Sequence, residues 1–286
     1  MKKGTGTITG EDFRRMQLLE LDMLVELDRV CRKHDIKYAI ICGTLLGGIR
    51  HKGFIPWDDD VDVSMLREEY EKFKIVADEL DSSICFFQDH DTDPEYRWGY
   101  GKLRRTGTTY IRPGQEKLKC KTGLYIDILP GDDIPVSLAG QMVNDALCFF
   151  LRKILWSEIG KDTEEKPLIR GIYRILSHIS ADWVFRRVKK MSAKSRNTSV
   201  NPVRTFLLPS GGKEISLYSS EKSKICYRYG HPKNWLTDLI EIEFEGHLFY
   251  APKDYDTYLR SRYGDYMQLP PEDKRIGKAP AERWEF

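Results

Sequence analysis

Asp58, Asp59, Asp60 and Asp62 stand together in GTLLGGIRHKGFIPWDDDVDVSM, residues 43–65, with Val61 and Val63 alternating against the last two. Side chains two apart on a β-strand share a face. The spacing therefore predicts a strand that presents Asp60 and Asp62 on one side and sends Val61 and Val63 into the core. Neighbouring carboxylates stay ionised only beside a cation, and hard divalent ions bound through oxygen are the natural partner. A third acid, Asp127, lies between Ile126 and Ile128 in the apolar run GLYIDILP, residues 123–130. An ionised Asp is costly there unless it is paired or bound to metal. Asp127 is thus the candidate to complete the site, the alternative being an Asp that caps the turn at Gly131.

Two elements must position these acids. Residues 38–42 form a short apolar run that reads as a buried strand, and Gly43-Thr44 follows it directly. A glycine turn opening a helix leaves backbone N–H groups free for phosphate. A solvated acidic loop is the plainer alternative, but Ile55-Pro56-Trp57 and Val61 to Val63 are poor flanks for one. Asp58, Asp60, Asp62 and Glu69 also occupy positions 1, 3, 5 and 12 of a calcium loop. That pattern needs glycine at position 6 and an entering helix; here Val63 fills the position and Pro56 breaks the helix.

The 286 residues suffice for one large domain or two smaller ones. A net charge of +2 is too small to argue for nucleic acid. Cys31, Cys42, Cys85, Cys120, Cys148 and Cys226 are scattered without metal-finger or CxxC spacing, which suggests reduced thiols in a cytoplasmic protein. MKKGTGTITG has lysines but no apolar segment behind them, and no run approaches the roughly 18 apolar residues of a membrane span. Any membrane contact is expected to be peripheral.

Thr9 with Asp12 reads as a capping box for a helix reaching about Lys33, with a stripe of Phe13, Met16, Leu19, Leu24, Leu27 and Val30. A helix is expected over 68–80, strands over 84–88, 96–103 and 108–112, and the Asp127 strand over 123–130. Apolar helical segments interleaved with basic residues follow, over 146–156 and 169–179. Between Leu151 and Arg196, twelve Lys or Arg face five Asp or Glu. Such an excess suits either an interface with anionic lipid headgroups or a solvated basic face. A loop is expected over 197–212, a hairpin over 240–250 and a helix over 254–263. The expected organisation is a catalytic core over 1–136, a basic helical insertion over 137–200 and a C-terminal segment over 201–286 completing the core and its acceptor side.

A strand, a Gly-polar turn, paired acids and a later third acid follow the logic of nucleotidyltransferases. There metal ions neutralise charge as one oxygen attacks phosphorus and another leaves. The stretches GTLLGGIRHKGFIPWDDDVDV, GLYIDILP and FEGHLFYAPKDYDTYLRSRYGDYMQLPP together closely resemble the LicD family, relatives of fukutin and fukutin-related protein. The resemblance covers about residues 10–135 and 235–275. It implies an α/β (α+β) fold with a nucleotidyltransferase-like mixed sheet flanked by helices. It also implies transfer of a phospho-alcohol from a CDP-alcohol, CDP-choline in the first place, to a sugar hydroxyl with release of CMP. On that pattern Asp60 and Asp62 hold one or two Mg2+, with Mn2+ as a substitute. Asp58 assists, Asp127 is the later catalytic acid and metal ligand, and Gly43 and Thr44 form the phosphate turn. Arg50, His51 and Lys52, and beyond them Lys102 and Arg104, are candidates to neutralise the pyrophosphate.

A quaternary ammonium is bound by aromatic faces, which makes Trp57, Tyr96, Trp98, Tyr100 and Tyr110 candidates for a choline cage; aromatics are also simply frequent in strands. The expected acceptor is a bacterial surface glycan (lipopolysaccharide, teichoic acid or capsule precursor) on a lipid carrier at the inner face of the membrane. Three alternatives remain open: ribitol or glycerol phosphate as the transferred group, an ordinary nucleotidyl transfer, and a non-catalytic glycan- or membrane-binding protein.

Overall fold

The computed structural model describes residues 2–195, 202–208 and 227–286. In chain order the elements are β1 (Lys3–Gly4), α1 (Gly10–Lys33), β2 (Ala39–Ile40), α2 (Cys42–His51), β3 (Asp62–Leu66) and α3 (Arg67–Val76). Next come β4 (Cys85–Gln88), β5 (Gly101–Arg105), β6 (Thr109–Ile111), β7 (Tyr125–Asp133) and the helices α4 (Leu138–Thr163), α5 (Pro167–Leu176) and α6 (Ala181–Ser195). The chain closes with β8 (Val203–Arg204), β9 (Leu239–Phe244), β10 (His247–Pro252), α7 (Tyr255–Tyr263) and β11 (Arg283–Glu285).

The central sheet has the order β2-β3-β7-β5-β4, with β8 pairing the far end of β7. β3 and β7 are parallel and the other pairs antiparallel, so this is the mixed sheet of an α+β fold. Alternation holds where the site needs it: Val61 and Val63 are fully buried, as are Ile126 and Ile128 on either side of Asp127. The α1 stripe packs on this sheet, with Phe13, Met16, Leu24, Leu27 and Val30 in the main core. Thr9 does cap α1 by position, but its side chain makes no capping hydrogen bond, which corrects the expected box.

The main core also takes in Trp235, Phe244, Phe249, Tyr258 and Trp284 from the C-terminal segment. A second apolar cluster lies apart from it, built from Leu151 and Ile154 of α4, Val184 and Val188 of α6, and Phe206 and Leu207. The helix expected over 146–156 is part of the longer α4, which covers 26 residues, whereas the one expected over 169–179 is α5, shifted to Pro167–Leu176. Of the loop expected over 197–212, most falls outside the described residues; 203–204 is the short strand β8.

The hairpin β9–β10 turns through Glu245 and Gly246, both left-handed at φ 50° and 78°, the backbone that a two-residue hairpin turn requires. Glu245 grips the segment that leads to the acids. It accepts from both terminal nitrogens of Arg14 at 3.0 and 2.6 Å and from the Phe54 amide at 3.0 Å. Its own amide donates to the Lys52 carbonyl at 2.8 Å. A clamp from the far end of the chain thereby fixes the entry to residues 55–60.

Candidate active site

β3 begins at Asp62, and parallel β7 sets Asp127 directly beside it. On the other flank of β7, antiparallel β5 sets Lys102 opposite Asp127. Lys102 is buried and ion-pairs with Oδ1 of Asp127. Its ammonium also lies 3.3 Å from the centroid of the Tyr125 ring. Burial pulls Lys102 down to about 8, which leaves it protonated at neutral pH. The charge on Asp127 is thus met by a cross-strand partner.

Asp60 lies before the strand, not within it, so the pleat does not place it on a common face with Asp62. Here the chain enters the sheet through Val61, whose carbonyl accepts from the Asp127 amide at 2.9 Å. The carboxylates of Asp58, Asp59 and Asp60 gather instead, with oxygens within 4.8 Å of one another. Burial, with Asp60 and Asp59 beside it, raises Asp58 to about 7. Burial, with Asp59 and Asp127 beside it, raises Asp60 to about 6. Asp62 is pushed well above the usual carboxylate range by burial, then by Asp60 and Asp127.

Asp58, Asp60 and Asp62 form no ion pair among the described residues. The nearby cations are Lys102, already on Asp127, Arg112, 3.9 Å from Asp59, and Arg50 and Arg262, which act on Asp58 and Asp62 without an ion pair among the described residues. Burial and mutual repulsion still raise Asp58, Asp60 and Asp62, and carboxylates so crowded fit a hard divalent cation, whose charge would dominate the local electrostatics.

Gly43 and Thr44 sit in the first turn of α2 and serve the acids directly. A β-carbon at Gly43 would collide with the Asp58 carboxylate, so only glycine lets the two segments meet. The Thr44 hydroxyl accepts from the Asp62 amide at 2.9 Å and fixes the start of β3. At Cys42 the backbone is left-handed, φ 52°, and its amide donates to the Tyr258 hydroxyl at 3.1 Å.

Two cavities open on these segments. One, about 310 Å³, is lined by Asp62 and Asp127 together with Cys42, Arg204, Tyr258 and Arg262. The other, about 530 Å³, is lined by Gly43, Arg50, Trp57 and Asp58 and walled by residues 263–271. Arg50 donates to the Tyr266 carbonyl at 2.7 Å and His51 meets the Trp57 ring edge-on at 5.9 Å. Lys52 ends α2 in a left-handed conformation. Arg104 is held away from the acids by Gln88 at 2.7 Å and the Gly123 carbonyl at 2.9 Å.

The aromatic candidates are only partly brought together. Trp57 lines the larger of these two cavities, and Tyr110 of β6 packs on Tyr125 of β7 at 6.1 Å. Trp98, against whose ring the fully buried Tyr96 packs at 5.1 Å, lines a third cavity of about 520 Å³ with Tyr100. Arg97, Arg152 and Lys153 line that cavity too and would oppose an ammonium ion.

Sequence reasoning did not find Arg262, Arg204, Tyr258, Tyr229 or Trp235, all of which line the Asp62–Asp127 cavity. Arg204 is already paired with Asp145 at 2.8 Å, whereas Arg262 forms no ion pair among the described residues. The signal for Arg262 was its place in YLRSRYGD, within a stretch whose resemblance had been noted.

Comparison with known proteins agrees with this arrangement. Residues 35–148 match the LicD/FKTN/FKRP nucleotidyltransferase domain, which spans Gly43, the acidic run and Asp127. The lipopolysaccharide cholinephosphotransferase LicD of Haemophilus influenzae is 29% identical over 268 residues, covering 91% of this chain and 93% of that protein. An uncharacterized protein of Rickettsia typhi is 40% identical over 54 residues, 19% of this chain and 18% of that one. Residues 35–148, which hold the paired acids on adjoining strands, thus match the LicD/FKTN/FKRP nucleotidyltransferase domain, and most of the chain is similar to a LicD cholinephosphotransferase.

Proposed function

We propose that this protein transfers phosphocholine from CDP-choline to a hydroxyl of a bacterial surface glycan and releases CMP. The observation that carries the reading is the register of Asp62 beside Asp127 with Lys102 on the opposite flank. The name of the Haemophilus relative supplies the transferred group and a glycan acceptor.

In the reaction, the acceptor oxygen forms a bond to the phosphorus that carries choline. The bond from that phosphorus to the bridging oxygen breaks, and the electron pair leaves with CMP. Asp127 accepts the proton of the attacking hydroxyl through Oδ2, while Lys102 holds Oδ1 and fixes the orientation. Asp60 and Asp62, with Asp58 assisting, would hold the magnesium. When bound, the ion neutralises charge on the phosphates. Arg262, which lies over the Tyr258 ring at 5.4 Å and forms no ion pair among the described residues, is in the same cavity and is placed to bind the pyrophosphate.

We place the reaction at the inner face of the membrane on a lipid-carried acceptor. No described helix is long and apolar enough to cross a membrane. The insertion nevertheless exposes Leu168 at 79% and Ile175 at 71%, one face of α5 that also holds Ile172. Arg170 and Arg174 on the same helix add charge that anionic lipid attracts.

The test offers purified protein with Mg2+ to CDP-choline, CDP-ribitol, CDP-glycerol and CTP, with a glycan acceptor, and identifies products by phosphorus NMR. CMP with a phosphocholine diester on the glycan supports the proposal; the same products with ribitol or glycerol change the donor alone. Pyrophosphate released from CTP would make this an ordinary nucleotidyltransferase. Glycan binding without turnover of any donor would make it a binding protein.

A further inference from the structure

The cavity of about 520 Å³ between α4 and residues 97–100 has no part in the reaction above, and its lining joins two opposite characters. Arg97, Arg152 and Lys153 line it, and no described Asp or Glu does. Most of the remaining wall is apolar, with Trp98, Leu155 and Leu207 in it. Cations gathered on an apolar wall repel one another and lose hydration, a cost that an anion removes.

The described residues supply no such anion. Arg97 makes no side-chain hydrogen bond or ion pair among them. Arg152 donates to the Leu208 carbonyl at 2.7 Å and Lys153 to the Tyr173 hydroxyl at 3.2 Å, both neutral acceptors. The Phe149 ring lies 5.8 Å from the Arg152 guanidinium and 5.4 Å from the Lys153 ammonium, so these two cations flank one wall. The acids in range are engaged elsewhere, Asp145 with Arg204 at 2.8 Å and Glu158 with Lys161 at 2.8 Å.

Uncovered apolar surface leads out of the cavity. Met142, Ala146, Phe149, Lys153 and Trp156 follow one another at helical spacing and share one face of α4. Met142, Phe149 and Trp156 are 51%, 52% and 45% exposed. A contiguous exposed apolar strip marks a binding surface, and this one starts at the cations, because Phe149, Lys153 and Trp156 also line the cavity. On its inner side the cavity approaches the acids. Leu208 lines both it and the Asp62–Asp127 cavity, and the Tyr100 ring in its wall lies 5.3 Å from the ammonium of Lys102.

A free phosphate would use the cations alone, and a nucleotide base would use the rings without the strip. A phosphate ester of a long apolar chain uses all three. We propose that this cavity binds the lipid phosphate of the acceptor, with Arg97, Arg152 and Lys153 on the phosphate oxygens and the apolar chain along α4. Guanidinium groups suit the task, since they keep their charge when buried and present paired N–H donors to phosphate. The glycan then extends past Leu208 toward Asp127. The inference rests on the reading of the acceptor as a lipid-carried glycan and gives its lipid end a site.

The experiment titrates the full chain in a calorimeter with farnesyl phosphate below its critical micelle concentration, without donor or divalent cation. Farnesol, inorganic phosphate and CMP are the comparison ligands. Farnesyl phosphate should bind, and farnesol and inorganic phosphate should each bind at least about tenfold more weakly. Arg97 has no side-chain bond to lose, so Arg97→Gln keeps the fold; it should weaken farnesyl phosphate about tenfold and leave farnesol unchanged. Trp156→Ala should weaken both. Farnesyl phosphate binding unchanged in Arg97→Gln and in Lys153→Gln would overturn the assignment. So would equal affinity for farnesol and farnesyl phosphate, which would leave only an apolar surface. CMP that binds more tightly than farnesyl phosphate and displaces it would make the cavity the nucleotide's and overturn it too. None of these readouts involves group transfer. A chain that binds farnesyl phosphate as stated yet releases no CMP from CDP-choline keeps this site and loses the function proposed above.

Discussion

The sheet that carries Asp62 and Asp127 and the helices over 138–195 treat charge and apolar surface in opposite ways. Around the acids, ionised groups are drawn inward, and each piece of backbone that bears them is locked by a specific contact: Thr44 to Asp62, Gln17 to Asp58, Glu245 to Phe54. In the insertion the charges stay outside, and large apolar side chains join them there, Phe149, Phe150, Leu168 and Ile175 among them. The core thus accepts electrostatic stress that a ligand can relieve. The insertion leaves apolar area uncovered that a surface can bury. On the proposed reading, one region serves an ion and a phosphate and the other an extended surface.

The largest effects should come from separating the two strand acids. Asp62→Asn and Asp127→Asn should each cut turnover by about 10^3-fold or more, measured as CMP release. Their stabilities should move in opposite directions. Asp62→Asn removes a carboxylate that Asp60 and Asp127 repel, so the metal-free Tm rises. Asp127→Asn leaves Lys102 buried without its counter-ion and costs about 3 kcal/mol, read from denaturant unfolding. Tm changes of the same sign would break the contrast between a repelled and a paired acid.

A smaller effect tests the insertion. Replacing Leu168 and Ile175 by Glu should weaken binding to anionic vesicles by roughly 30-fold per site, the equivalent of about 2 kcal/mol of lost apolar burial each. Turnover on a water-soluble acceptor should not change. Equal vesicle binding by the variant in a flotation assay would show that α5 is not the contact.

The smallest effect concerns pH. Asp58 at about 7 and Asp60 at about 6 stand above their ordinary value of 3.8. From about pH 4 upward the unfolded chain has released these protons and the folded one still holds them. Metal-free stability therefore falls as pH rises, and the loss is complete above about pH 7. A cation that compensates the ionised acids should raise Tm more at pH 8 than at pH 5. Equal Mg2+-induced shifts at the two values in a thermal scan would count against the acids as its ligands.

What could be read in advance followed periodicity. The α1 stripe, the alternation of Val61 and Val63 and the apolar flanks of Asp127 are local patterns, and the folded chain keeps them. The family resemblance was legible because its motif is long and dense in unusual residues. What escaped depends on contacts distant in sequence. Nothing near Asp127 announces that Lys102, 25 residues earlier, would face it across a strand pair, or that Arg262 would enter the same cavity. Gly43 looked like a phosphate turn because its chemistry is local, while its contact with Asp58 is not. Of the aromatics near the motif only Tyr110 sits on a strand; Trp57, Tyr96, Trp98 and Tyr100 lie in irregular segments, whose course no local pattern announces.

The lining of the Asp62–Asp127 cavity runs from Ile41 to Arg262, and that span has a consequence in time. Contacts between residues so far apart form late, because the chain between them must first be ordered. During synthesis the strands bearing the acids emerge well before α7 does. A chain arrested before residue 255 would hold its carboxylates without Tyr258 to receive the Cys42 amide or Arg262 to meet a phosphate. On the proposed function, catalytic competence is then one of the last properties the growing chain acquires, and an incomplete copy would leave the donor unspent.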